Sequence, residues 1–326
     1  MIEIPTVFIL GAGASAPYGY STGAGLSTKI VNEFYDKLEA LLKNDSSLSE
    51  TDMKLHLREA KLFLDVFEKA PVSIDKFLSI NPFFSSYGKI AITLNILNEE
   101  KSSKSLKEMD SSDSKQDWYK LLFERMVSTL NNSSDFDRFR ENKVAFITFN
   151  YDRSLDHFIY KSFRNTFWQS RDDFERSLNL NDFKKYIPFP LIHVYGQVDK
   201  IRWHGGSYYR DRENFDFTKI EELSHNIRVI GERSNGLKDE ISEVITNHKR
   251  IFILGFGYAD ENLEAIGLPG PVNEEWNIYG TAKGMKEKEI KEKRYIFTHN
   301  FRDQNFTYFN PYIEDINCYE LLKKYL

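Results

Sequence analysis

The apolar positions of the chain follow two periods, and the change from one to the other marks its elements. Thr6-Val-Phe-Ile-Leu10 is a short, continuously apolar and β-branched run that ends at a glycine, the pattern of a strand buried on both faces. After the glycine turn, Leu26, Ile30, Val31, Phe34, Leu38, Leu41 and Leu42 recur at helical spacing, which predicts an amphipathic helix. Further helical patterns run from Leu55 to Phe67 and from Trp118 to Leu130, and the region from about 43 to 140 reads as a helical insertion. Within it Lys101 to Lys115 holds almost no apolar residue and reads as a mobile surface loop. Strand patterns return at Val144 to Phe149, Leu191 to Tyr195, Ile227 to Ile230, Ile251 to Leu254 and Trp276 to Tyr279. This alternation predicts an α/β fold with a doubly wound, mainly parallel sheet, in one domain spanning 1–326.

Composition narrows the class. A chain of 326 residues with 41% hydrophobic and 15% aromatic residues can bury a large core. A net charge of -5 argues against a phosphate backbone as the main partner, so no direct nucleic-acid binding is expected. One cysteine, Cys318, rules out an internal disulfide or a cysteine-built zinc site, so no zinc is expected. No apolar run reaches the roughly 18 residues needed to span a bilayer and no charged-then-apolar leader opens the sequence, so a cytoplasmic protein without a membrane partner is expected.

In doubly wound sheets ligands bind beyond the carboxyl ends of the strands, which singles out the polar strand exits. Gly11-Ala12-Gly13-Ala14-Ser15-Ala16 fits the G-x-G-x-x-A pattern, in which glycines permit a tight turn and bring backbone N–H groups close to a pyrophosphate. The acidic residue that an ordinary NAD dehydrogenase carries about 20 residues later is missing, since Glu33 and Asp36 fall within the predicted helix. At the next exit, Asn150 and Asp152 either face a ligand or form a turn capping the following helix. His193 offers a group that titrates near neutrality, or else a hydrogen-bonded core histidine. Gly255-Phe-Gly257, followed by Asn262, either closes over the adenosine half of a dinucleotide or serves as a turn with Asp260 as helix cap.

Taken together and in this order, these segments resemble the sirtuin superfamily, and more closely its divergent bacterial branch in antiviral defence systems. Gly11 to Ser15 is similar to that family's G-A-G-x-S loop, Asn150-Tyr-Asp152 to its Asn-x-Asp segment, His193 to Gly196 to its histidine segment, and Gly255 to Asn262 to its late glycine turn. The resemblance implies a Rossmann-like NAD-binding fold with His193 as catalytic base and Asn150 positioning the nicotinamide ribose and the attacking water. It further implies that Gly11, Ala12, Gly13 and Ser15 hold phosphates and ribose, with Asp152, Gly255, Gly257 and Asn262 completing the pocket. Asp75 is similar to a recurrent acidic position of the family, and a helix cap explains it nearly as well. The family's deacylases carry a four-cysteine zinc module that one cysteine cannot supply, and their Pro-x-Phe-Arg segment is replaced by Ser21-Thr-Gly-Ala-Gly-Leu26.

The expected activity is therefore that of an NAD hydrolase, releasing nicotinamide and ADP-ribose in a regulated anti-phage response that depletes NAD. The alternatives are a deacylase or ADP-ribosyltransferase on the same fold, or a non-catalytic NAD or ADP-ribose sensor. Control through a homo-oligomer, or through a separate sensor or activator protein, is expected because uncontrolled NAD loss would harm the host.

Overall fold

A computed structural model describes residues 1–103, 117–167, 187–201, 215–232, 235–268, 276–299 and 311–326. Six strands form one sheet: β1 (Thr6–Leu10), β2 (Val144–Thr148), β3 (Leu191–His193), β4 (Arg250–Leu254), β5 (Asn277–Thr281) and β6 (Tyr312–Glu314). They are all parallel, in the order β3-β2-β1-β4-β5-β6. This is the order of two-halved dinucleotide-binding sheets, and it reverses direction between β1 and β4. A crevice opens at that reversal, beyond the ends of the two central strands.

The register is held by aromatic residues paired across the strands. Phe8 of β1 stacks between Phe146 and Phe252, with ring centroids 5.3 and 5.5 Å away. Phe252 stacks on Tyr279 at 4.9 Å, and Tyr279 on Tyr312 at 5.5 Å, so one row of rings crosses β2, β1, β4, β5 and β6. Stacked pairs of this kind contribute about 0.5–1.5 kcal/mol each beyond their buried area. Because a one-residue slip would move every ring to the opposite face, the row also fixes where each strand ends, and hence where the exit loops sit.

Between β1 and β2 the chain forms α1 (Ala12–Ser15), α2 (Gly23–Lys43), α3 (Glu50–Phe67), α4 (Ile74–Ile80), α5 (Ser85–Ser102) and α6 (Trp118–Val127). The expected amphipathic helix is α2, whose Leu26, Ile30, Phe34, Leu38 and Leu42 are buried. It starts where Thr22 accepts a hydrogen bond from Gly25 N–H. Helices α2, α3 and α5 pack together with α8 (Phe217–Ser224). Helix α6 packs on α7 (Ser154–Thr166) and on the C-terminal α12 (Cys318–Tyr325). The remaining α-helices among the described residues are α9 (Asn235–Thr246), α10 (Asp260–Ala265) and α11 (Glu287–His299).

The expected strand at Ile227 to Ile230 does not form. Ile227 makes one isolated antiparallel bridge to Gly196, and the chain turns at Gly231 with φ of 97° before a ladder can extend. Strand β6 has no counterpart in the sequence reading. Most of the loop expected at Lys101 to Lys115 lies outside the described residues. No helix among the described residues is long and apolar enough to cross a membrane.

Candidate functional site

The exits of β1, β2 and β4 meet at a cavity of about 930 Å³. Gly11, Ala12 and Gly13 line it from the β1 turn, Asn150, Tyr151 and Asp152 from the β2 exit, and Gly255, Phe256 and Gly257 from the β4 turn. Asn262 of α10 and Asp75 of α4 complete the set of sequence candidates on its wall. Such a volume lies at the upper end of the range for small-ligand sites.

The two glycine turns are packed backbone against backbone. Gly13 N–H donates to the Gly255 carbonyl at 2.9 Å, and Gly11 N–H continues the sheet to the Leu254 carbonyl at 2.9 Å. A Cβ on Gly255 would lie 2.0 Å from the Ala14 nitrogen, and Gly255 has φ of 57°, so no other residue fits there without moving the β1 turn. Gly13 thus spends its N–H inside the protein rather than offering it to a phosphate. The glycines are required for the close approach of the turns, in addition to any approach of a ligand.

Asn150 follows β2 and its side chain is buried. Its Nδ2 donates to Ser15 Oγ at 2.8 Å, whereas its Oδ1 is buried without a hydrogen-bond partner among the described residues. A buried acceptor left unpaired costs roughly 1–3 kcal/mol, which a donor on a ligand entering the cavity can recover. Ser15 itself lies beneath the turn, outside the cavity wall, and acts on the site by holding Asn150. Asp152 accepts from the Ser154 N–H at 3.0 Å and from the Ser154 hydroxyl, so it forms the helix-entry turn and faces the cavity as well. Burial raises its carboxyl above the ordinary value, against hydrogen bonds from Ser154 and Ser15.

His193 is the last residue of β3, directly behind Asn150 and outside the cavity wall. Its Nδ1 lies 3.0 Å from the Asn150 main-chain oxygen, and its Nε2 lies 3.2 Å from Asp156 Oδ2 and 3.0 Å from Gln197 Nε2. Burial alone would lower the imidazole pKa, but the Asp156 charge and hydrogen bond, the Asn150 carbonyl and Asp152 together raise it. Both ring nitrogens are therefore engaged in the described state.

The opposite wall is built by the helices between β1 and β2. Asp75 accepts a hydrogen bond from the Tyr151 hydroxyl, and burial raises its carboxyl despite that bond. The cap of α4 is Ser73, which accepts from Lys76 N–H, so the capping explanation of Asp75 passes to its neighbour. Lys76 pairs with Glu261 of α10 at 2.8 Å, and both line the cavity. Asn262 accepts from the Tyr195 hydroxyl at 2.8 Å, and α10 begins after Ala259 with no side-chain cap. Beyond the β5 and β6 exits, Thr281, Lys283, Asn317 and Cys318 extend the wall, and burial pushes the Cys318 thiol up to about 12.

The sequence reading did not single out Asp156, Gln197, Tyr151 or Lys76. A signal existed for the first two, because Asp156 stands four residues after Asp152 at helical spacing and Gln197 four after His193 beyond a glycine turn. Compared with models of known protein families and with curated proteins, the chain matches none.

Proposed function

We propose that this chain hydrolyses NAD at the nicotinamide–ribose bond, releasing nicotinamide and ADP-ribose, as its resemblance to the divergent bacterial sirtuin-like branch implies. The observation that carries the reading is the Oδ1 of Asn150, without a hydrogen-bond partner among the described residues and buried at a cavity that the glycine turns of β1 and β4 also line. Its chemistry suits a donor such as a ribose hydroxyl, a carboxamide or a water molecule.

In this reading the pyrophosphate rests against the β1 turn, the nicotinamide ribose lies beside Asn150, and the adenosine runs along Gly255, Gly257 and Asn262. The bond to nicotinamide breaks with its electron pair passing to the cationic ring, which becomes neutral. Positive charge develops on the ribose, and water captures it. A reaction with so good a leaving group depends mainly on orientation, exclusion of competing acceptors and electrostatic support of the developing cation. The carboxylates of Asp152 and Asp75 on the wall supply that support. The proton of the attacking water leaves to Nδ1 of His193 in its neutral form, with the ring proton on Nε2, once Nδ1 exchanges the Asn150 carbonyl for the incoming water. Activation by an oligomer or a partner protein, in an anti-phage role, belongs to the same proposal.

The test is incubation of the purified full chain with NAD, alone and with candidate activators, followed by chromatography of the products. Free nicotinamide and ADP-ribose in equal amounts support the proposal. ADP-ribose attached to protein identifies a transferase instead, and NAD that is bound but intact identifies a sensor.

A further inference from the structure

Asp156 is a buried carboxylate in the first turn of α7, outside the cavity wall and in contact with His193. Its side chain is 7% exposed and that of His193 10%, and their contact at 3.2 Å is shielded from solvent. The Gln197 amide donates to the same carboxylate. On the far side of the ring, Nδ1 meets the Asn150 carbonyl at 3.0 Å. Arg228 completes the surroundings by donating from its guanidinium to the His193 carbonyl at 2.8 Å, and Asp152 is the second carboxylate acting on the ring. The imidazole therefore bridges α7 to the β2 exit.

We infer that Asp156 is a positioning residue of this site, fixing the ring of His193 and, through that ring, the main chain that carries the Asn150 side chain. For its catalytic consequence this inference rests on the NAD-hydrolysis reading. Its structural consequence is independent of that reading.

The charges of the pair agree with the geometry. Burial would raise Asp156, yet the His193 charge and the hydrogen bonds from His193 and Gln197 lower it; burial would lower His193, yet Asp156 raises it. A positively charged ring can donate from both nitrogens at once, to the Asn150 carbonyl and to Asp156, and is held in one orientation. Without the carboxylate Nε2 is left facing the Gln197 amide nitrogen, a donor at 3.0 Å that suits an unprotonated ring nitrogen, and burial then favours the neutral form.

The experiment uses the full chain labelled at histidine nitrogen. Imidazole resonances are titrated by NMR in the wild type, Asp156→Asn and Asp156→Glu, with His193 assigned by its loss in His193→Gln. The expected wild-type midpoint lies above the ordinary value of about 6.5, the Asn variant falls by about one pH unit or more, and the Glu variant stays near wild type. In nicotinamide release, the acidic limb of the kcat profile should move to lower pH by the same interval in Asp156→Asn. Its kcat at the optimum should drop about tenfold while KM changes by less than about twofold.

Equal midpoints in wild type and Asp156→Asn overturn the inference, as does a wild-type midpoint at or below 6.5, which requires only the assigning His193→Gln variant to fold. A shifted midpoint in a protein that never releases nicotinamide supports the positioning of the ring and overturns the function proposed above. Equal midpoints in an active enzyme overturn the positioning alone.

Discussion

Replacing Gly255 by alanine is the sharpest perturbation of the contact between the two glycine turns. The added Cβ would lie 2.0 Å from the Ala14 nitrogen, 2.3 Å from the Gly13 carbonyl carbon and 2.8 Å from the Ala14 Cα, all of them backbone atoms that cannot rotate away. The turns must separate, and the 2.9 Å bond from Gly13 N–H to the Gly255 carbonyl is lost or stretched. Left-handed backbone at a residue with a Cβ costs roughly 1–2 kcal/mol, overpacking typically about 1–3, and a lost hydrogen bond about 1. A destabilisation of roughly 3–6 kcal/mol follows, which for a chain of this size lowers the melting temperature by roughly 4–9 °C. Gly257→Ala is the internal control, since nothing lies within 4 Å of its added Cβ. It should melt close to wild type. Calorimetry of both variants decides the matter: a Gly255→Ala protein melting within about 2 °C of wild type would refute the interlock.

Two further outcomes follow from buried charge. Arg153 is 0% exposed and meets Glu100, 2% exposed, through two hydrogen bonds of 2.9 Å. Glu100→Ala should therefore cost about 3–5 kcal/mol and lower the urea midpoint at unchanged slope. A loss below about 1 kcal/mol would mean that the remaining partners of the guanidinium, Asp199 at 3.5 Å among them, are enough to neutralise it. The His193–Asp156 pair sets a pH window. The raised pKa of His193 gives stability that is complete below about 6.5 and fades as pH rises through its folded value, while the lowered pKa of Asp156 gives stability that is complete above about 3.9 and fades as pH falls through its folded value. The stability difference between wild type and Asp156→Asn should thus be largest from about pH 4 to 6.5 and shrink on both sides, whereas a difference that keeps growing above pH 8 would contradict the pairing.

Much of the fold was legible because its strands are buried on both faces and announce themselves as continuous apolar runs. Thr6–Leu10, Val144–Thr148 and Arg250–Leu254 each end at a glycine or within two residues of a polar turn, so the strand exits could be read with them. Tyr312–Glu314 escaped notice because only Ile313 of its three residues is buried, leaving no period to detect. Ile227–Ile230 misled for the converse reason: it is apolar in core positions without a strand beside it to extend a ladder.

The site was legible as a set of exits and illegible as a network. Sequence spacing brings Gly13, Asn150 and Gly255 to neighbouring strand ends, yet only the parallel order, with β1 between β2 and β4, joins them at one cavity. That Ser15 grips Asn150, and that His193 spends both nitrogens on Asn150 and Asp156, depends on side-chain directions across 135 and 43 residues of chain, which no local pattern encodes. The expectation that Glu33 and Asp36 lie within a helix holds, since both fall in α2.

The central claim is that Asn150 faces the reacting ribose of a dinucleotide bound between the two glycine turns, and Asn150→Ala tests it most directly. Calorimetric titration with NAD and an assay of nicotinamide release are run on that variant and on wild type under the same activating conditions. The account expects NAD affinity within about tenfold of wild type and nicotinamide release reduced by at least about a hundredfold, because the lost contact acts on the reacting ribose rather than on the phosphates. Undiminished release from Asn150→Ala would contradict it.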